Sequence, residues 1–149
     1  MRSVAVALGA GLGIAGLIVA CKAPAVPTVS TYQKADEITM LWTQIRGWRH
    51  DARMDLDPTP ASLNAVIGIK VHDAKRACPD RHEVPKSCDD VCDIADAICD
   101  NAEAICGLAT ELGKTNTWAQ DKCTSAKASC RESKQRCCDC EPVPVPGGA

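Results

Sequence analysis

No Phe, one Tyr and three Trp occur among the 149 residues. So few large apolar groups give a thin hydrophobic core for a chain of this size, and some other source of stability is needed. Net charge is equally sparse: 17 Lys and Arg against 19 Asp and Glu leave −2. That balance favours neither nucleic acid nor an anionic bilayer as an electrostatic partner. There is no Gly-x-Ser-x-Gly elbow and no phosphate-cradling glycine loop. His50, His72 and His82 fall on a helix, a helix and a loop, and none stands near a nucleophile in a catalytic order. No stretch reads as a strand. These absences argue against an enzyme, and the many carboxylates read as solvated helix faces.

Cysteine is what the chain has in excess. Nine of the eleven cysteines fall between Ser87 and Cys140. Cys92, Cys99 and Cys106 are spaced by seven, as are Cys123, Cys130 and Cys137, with a Leu112-Gly113 helix stop between the two runs. Seven helical residues climb about 10.5 Å, whereas a disulfide needs Cα atoms within roughly 7 Å. Cysteines of one run therefore cannot bond each other. The Gly, Thr and Asn content of the connector reads as a short turn, so the two runs form an antiparallel helical hairpin. Cys106 then faces Cys123, Cys99 faces Cys130 and Cys92 faces Cys137, each pair of numbers summing to 229.

Two further patterns agree with that register. Ala95, Ala102 and Ala109, with Ala126 and Ser133, follow the cysteines by three residues and allow the close helix approach that disulfides demand. A strict seven-residue repeat keeps the seam facing its partner. The first helix carries Asp89, Asp90, Asp93, Asp96, Asp100, Glu103 and Glu111 without a Lys or Arg, while the second is rich in both. The register sets Asp93 near Arg136, Asp96 near Lys134 and Glu103 near Lys127. Exposed pairs of this sort contribute only about 0 to 1 kcal/mol each.

The N-terminal stretch has one positive residue, Arg2, then an apolar run from Val4 to Ala20, ending Leu17-Ile18-Val19-Ala20-Cys21. It resembles a bacterial lipoprotein signal peptide, whose lipobox places small or aliphatic residues before an invariant cysteine. The resemblance implies cleavage after residue 20 and diacylation of Cys21, the expected lipidation site, so the expected partners are the membrane, through this lipid, and a protein of the envelope. The same run is at the short limit for a membrane span. Loss of Arg2 would take the net charge to −3, and setting Cys21 aside leaves ten cysteines, an even set that in an exported chain reads as a disulfide framework. Residues 21–34, beginning KAPAVPTVST after Cys21, read as a Pro-rich tether. The Lys after the lipidated cysteine resembles the lipoprotein sorting position, where Asp commonly signals inner-membrane retention; its absence points to the outer membrane.

Residues 35–140 are expected to form one all-α domain of four helices. Ile38, Leu41, Trp42, Ile45, Trp48, Ala52 and Leu56 recur at helical spacing from Ala35 to Leu56, with Gly47 a flaw of about 1 kcal/mol. The Trp pair reads as core. Thr59 caps a second helix from Pro60 to Ala77, with Leu63, Val66, Ile67, Lys70, Val71, Ala74 and Cys78 on one side. Ser87 with Asp90, and Thr117 with Gln120, form capping signals for the third and fourth. Val91, Ile94, Ile98, Ala102 and Ile105 make a second stripe that the first two helices cover. Residues 141–149 (EPVPVPGGA) read as a disordered tail.

Cys78, Cys88, Cys138 and Cys140 stand outside the regular ladder. Continuing the constant sum pairs Cys88 with Cys140, one residue out of phase, and leaves Cys78 for Cys138; the swapped assignment fits nearly as well. Cys88-x3-Cys92 together with Cys137-Cys138-Asp139-Cys140 could instead hold copper or zinc as thiolates. Copper-storing bundles repeat Cys-x3-Cys many times, however, and the chain is read as having no Cys-x2-Cys, neither copy of a zinc ribbon nor a redox motif, so no cofactor is expected. Taken whole, the chain resembles cysteine-rich helical-hairpin lipoproteins, a resemblance that implies no catalytic or ligand residues. The expectation is a non-catalytic, lipid-anchored envelope protein, a structural or interaction module, with thiol-based metal binding as the alternative. A third option is an inhibitor that inserts the hairpin tip, Gly107 to Trp118, into a target.

Overall fold

The helices follow the apolar periods, and local devices set where each one ends. The computed structural model describes residues 29–79 and 82–141, and among them every regular element is helical. In chain order these are α1 (Val29–Asp51), α2 (Pro60–Ala65), α3 (Val71–Lys75), a 3₁₀ turn (Lys86–Cys88), α4 (Asp89–Leu112) and α5 (Thr117–Cys138). The expected signal peptide, Cys21, the first part of the tether and the tail from 142 onward lie outside the described residues.

α1 begins at Val29 rather than Ala35, taking in the end of the expected tether. No apolar period marks that extra stretch. Lys34 instead reaches Glu111 of α4 at 2.8 Å, so a contact made far along the chain holds it. The other end comes early as well, at Asp51 rather than Leu56. Met54 N–H donates to Arg49 O at 2.8 Å and Arg53 N–H to His50 O at 2.9 Å, the reciprocal bonds of a Schellman closure. The left-handed residue is Arg53, at φ 55°, where glycine is usual. A side chain there costs about 1–2 kcal/mol, and no glycine advertises the stop. Leu56 consequently leaves the apolar stripe and is exposed.

The single helix expected from Pro60 to Ala77 is two short ones. Thr59 does cap the first, its Oγ1 accepting from Ser62 N–H at 3.2 Å. Gly68 then takes φ 76° and breaks the run. Val66 and Ile69 carbonyls accept from Lys127 Nζ at 3.1 and 3.0 Å, which replaces helical partners the break removes. Val66 and Ala74 are buried, but Ile67 is 68% exposed and lies off the expected face.

Both caps expected on the hairpin are replaced. α4 starts after the 3₁₀ turn with Cys88, not Ser87, at its N-cap and without a side-chain cap. Cys88 N–H donates to Pro85 O at 2.9 Å and the Cys88 side chain is buried, so the turn is tightened inward. At α5, Asn116 Oδ1 accepts from Ala119 N–H at 3.1 Å. Gln120 Nε2 turns instead to Ala109 O at 2.9 Å and Gly113 O at 3.3 Å, closing the end of α4. Gly113, at φ 91°, ends α4 where the sequence places the stop.

α4 and α5 form the antiparallel hairpin, and α1 lies across both. α2 packs on α5, and α3 against both helices of the hairpin. Ile38, Trp42 and Ile45 of α1 bury over Ile98, Ala102 and Ile105 of α4 in one core, each Ile contributing about 1.5–3 kcal/mol. Trp48 packs partly buried against the same cluster. Lys122 sits with its Nζ 5.0 Å from the Trp42 ring centroid, covering the core edge.

Candidate functional site

The small residues of the two seven-residue repeats decide how close the hairpin helices come. Ala95, Ala102, Ala109, Ala126 and Ser133 are all buried along the seam. Cα atoms stand 4.9 Å apart at Cys92–Cys137 and 4.6 Å apart at both Cys99–Cys130 and Cys106–Cys123. A larger side chain at any of these positions would occupy the space between the backbones. The rungs are therefore a consequence of the Ala seam as much as of the cysteines.

Beyond the regular rungs, Cys88 bonds Cys140 and Cys78 bonds Cys138, with Cα separations of 6.1 and 5.5 Å. Cys88 sits in the 3₁₀ turn and Cys140 past the end of α5, so departure from helical geometry at both ends absorbs the one-residue phase slip. Cys78 follows α3 and ties that element to the end of α5. Sequence reasoning missed one spacing here. Cys137 and Cys140 form a Cys-x2-Cys, the signal of a redox pair, but they bond Cys92 and Cys88 respectively rather than each other. Five disulfides belong to an oxidising, exported environment.

The charge pairing on the hairpin is only partly that of the register. Lys134 pairs with Asp96. Glu103 pairs instead with Lys75 at 3.0 Å, as does Asp100 at 3.2 Å, because α3 covers that side of the hairpin. Burial works to lower the Lys75 pKa, yet hydrogen bonds and charge from Glu103 and Asp100 raise it above 10.5. Lys127, expected opposite Glu103, points inward to the Val66 and Ile69 carbonyls, and burial lowers its pKa. No ion pair joins Asp93 to Arg136 among the described residues.

A buried ion pair was missed by the sequence reading. Arg49 of α1 is 1% exposed and its Nη2 lies 2.7 Å from Glu132 Oε2 on α5. Its Nε donates to the Asp55 carbonyl at 2.7 Å, while Glu132 Oε1 accepts from Thr59 N–H at 3.3 Å and Thr59 Oγ1 at 3.4 Å. Burial alone would raise the Glu132 pKa; the Ser62 hydroxyl, Arg49 and Thr59 N–H outweigh it and hold the carboxyl below its ordinary value. Arg49 follows Ile38, Trp42 and Ile45 at helical spacing, which is the signal that could have found it. Beside this pair opens a cavity of about 530 Å3 lined by Met54, Val91, Glu132, Gln135, Arg136, Asp139 and Cys140.

The histidines stay apart. His50, His72 and His82 are all exposed on separate segments, with His50 Nδ1 3.5 Å from Asp51 and His72 Nδ1 3.6 Å from Asp73. No group of three His, Cys, Asp or Glu side chains is arranged to hold a metal ion among the described residues. Among those residues, no helix is long and apolar enough to cross a membrane. Trp118, at the hairpin tip, is 39% exposed. Compared with protein-family models, curated proteins and solved structures, the chain finds no match in any of the three.

Proposed function

We propose that this chain is a non-catalytic protein of the bacterial cell envelope, anchored by lipid on Cys21 and acting as a rigid structural or protein-interaction module. One observation carries the reading. Ten of eleven cysteines are consumed in five disulfides, and the cysteine left over is Cys21, at the end of a lipobox-like run. Anchoring through two or more acyl chains is stable rather than transient, and Lys22 directs the protein to the outer membrane. Disulfide-bonded cysteines offer no thiolate to copper or zinc, so metal binding requires a reduced protein.

The test is expression in a Gram-negative host that processes lipoproteins. Mass spectrometry should find a diacylglyceryl group on an N-terminal Cys21, and Cys21→Ser should move the protein from the detergent phase to the aqueous phase. Lys22→Asp should shift it from outer-membrane to inner-membrane fractions. An unmodified Cys21, or a Cys21→Ser protein still in the detergent phase, overturns the anchor. Several free thiols in the exported protein that vanish on adding copper(I) would replace the structural reading with metal binding.

A further inference from the structure

The five disulfides divide unequally between the two layers of the molecule. Four of them, Cys88–Cys140, Cys92–Cys137, Cys99–Cys130 and Cys106–Cys123, lie wholly inside the hairpin segment. Only Cys78–Cys138 crosses from the layer of α1, α2 and α3 to the hairpin. Each hairpin rung has a neighbouring rung that keeps its two sulfurs opposed after opening. The effective concentration of one thiol at the other stays high, and the bond re-forms. Cys78 has no rung on its own element: the nearest, Cys88–Cys140, is ten residues further along the chain.

What else holds the segment that ends in Cys78 is slight. α2 contains no buried residue and α3 only Ala74; Val66, just past α2, is the other fully buried apolar group, and Ile69 and Val71 pack only partly buried against the core. The polar ties are Lys75 to Asp100 and Glu103, Lys127 to the Val66 and Ile69 carbonyls, and Thr59 to Glu132. Elements with so little buried area belong to the low-stability end of a native structure and open locally. α1 is different, since Ile38, Trp42 and Ile45 sit in the core. Opening Cys78–Cys138 should release residues 60–79 and leave α1, α4 and α5 in place.

We infer that Cys78–Cys138 is a redox latch: a dithiol reductant opens it ahead of the hairpin rungs, and its opening frees the segment carrying α2 and α3 from α5. The reductant's first thiolate attacks one sulfur of the pair and expels the other as a thiolate. Its second thiol then resolves the mixed disulfide. The reductant ends as a disulfide, and its two protons and two electrons end on Cys78 and Cys138. Once α3 has left α5, no packed helix holds the two thiols opposed, so re-closure is less favourable than at a hairpin rung and the exchange moves toward the open form. The inference concerns the folded domain and holds whether or not Cys21 carries lipid.

The experiment uses the full chain with Cys21→Ser, oxidised, in dithiothreitol redox buffers of stepped poise. Trapped thiols are mapped by alkylation and mass spectrometry, and amide hydrogen exchange is followed at each step. Cys78 and Cys138 should alkylate together at a reduced-to-oxidised ratio at least tenfold lower than Cys99 and Cys130 require. Amide protection across residues 60–79 should fall at least tenfold in the same step, with α4 and α5 still protected. Earlier opening of any hairpin rung overturns the latch, as does opening of Cys78–Cys138 without loss of protection in 60–79. The Cys78→Ser/Cys138→Ser variant keeps four disulfides and should show the exposed pattern without reductant; wild-type protection in 60–79 would overturn the proposal independently.

Discussion

Arg49 and Glu132 show how far one residue's role depends on its surroundings. A guanidinium that is 1% exposed and bonded to a carboxylate and a carbonyl cannot lose its partner cheaply. Arg49→Leu should cost about 1–3 kcal/mol in urea unfolding with the disulfides intact, because the half-buried Glu132 keeps Thr59 and loses its only charged partner among the described residues. Arg49→Leu combined with Glu132→Leu should recover much of that loss. The folded-state pKa of Glu132 is depressed below 4.5, so its contribution is complete above that pH and disappears as the pH falls through the lower folded value. Wild-type stability should therefore decline with acid in a way that Glu132→Gln does not reproduce, and the gap between the two proteins should narrow toward pH 3.

Among the elements, Gly47, Gly68 and Gly113 have opposite requirements. Gly47 lies inside α1 with nothing within 4 Å of an added Cβ, so Gly47→Ala should stabilise by about 1 kcal/mol, read as a raised Tm. Gly113 ends α4 at φ 91° and ψ 160°, a region open almost only to glycine, and Gly113→Ala should cost about 1–3 kcal/mol. Gly68, at φ 76°, is what divides the expected second helix. Leu63, Val66 and Ile67 before it and Val71 and Ala74 after it keep one helical period, so the pattern alone reads as unbroken. The break is stabilised by Lys127, which comes from the other end of the domain. Helix existence was legible in periodicity, but the ends of α1 were not: Lys34 meets Glu111 beside the early start, and the Schellman turn at Arg53, next to the anchored Arg49, makes the early stop.

For the molecule as a whole, the ladder substitutes for a core that the composition cannot supply. An isolated closure like Cys106–Cys123 should stabilise by about 3 kcal/mol through lost freedom in the unfolded chain. Nested closures add less, since the inner ones have already shortened the free loop. Cys99→Ala with Cys130→Ala should thus stay folded at a cost below that of an isolated bond, because Cys92–Cys137 and Cys106–Cys123 bracket the gap. Full reduction should unfold the domain cooperatively, followed by the loss of helical circular dichroism.

The sequence by itself determined the all-α class and the hairpin, because a seven-residue cysteine period with an alanine seam admits few geometries once bonds must reach across. It left open how Cys78, Cys88, Cys138 and Cys140 pair, since spacing cannot choose between partners that lie off the helical register. The tertiary structure decided that pairing, through the 3₁₀ turn at Cys88 and the position of α3. It also decided the Arg49–Glu132 pair and the Lys75 and Lys127 contacts. Polar side chains carry no period of their own, so their partners exist only once the helices have docked.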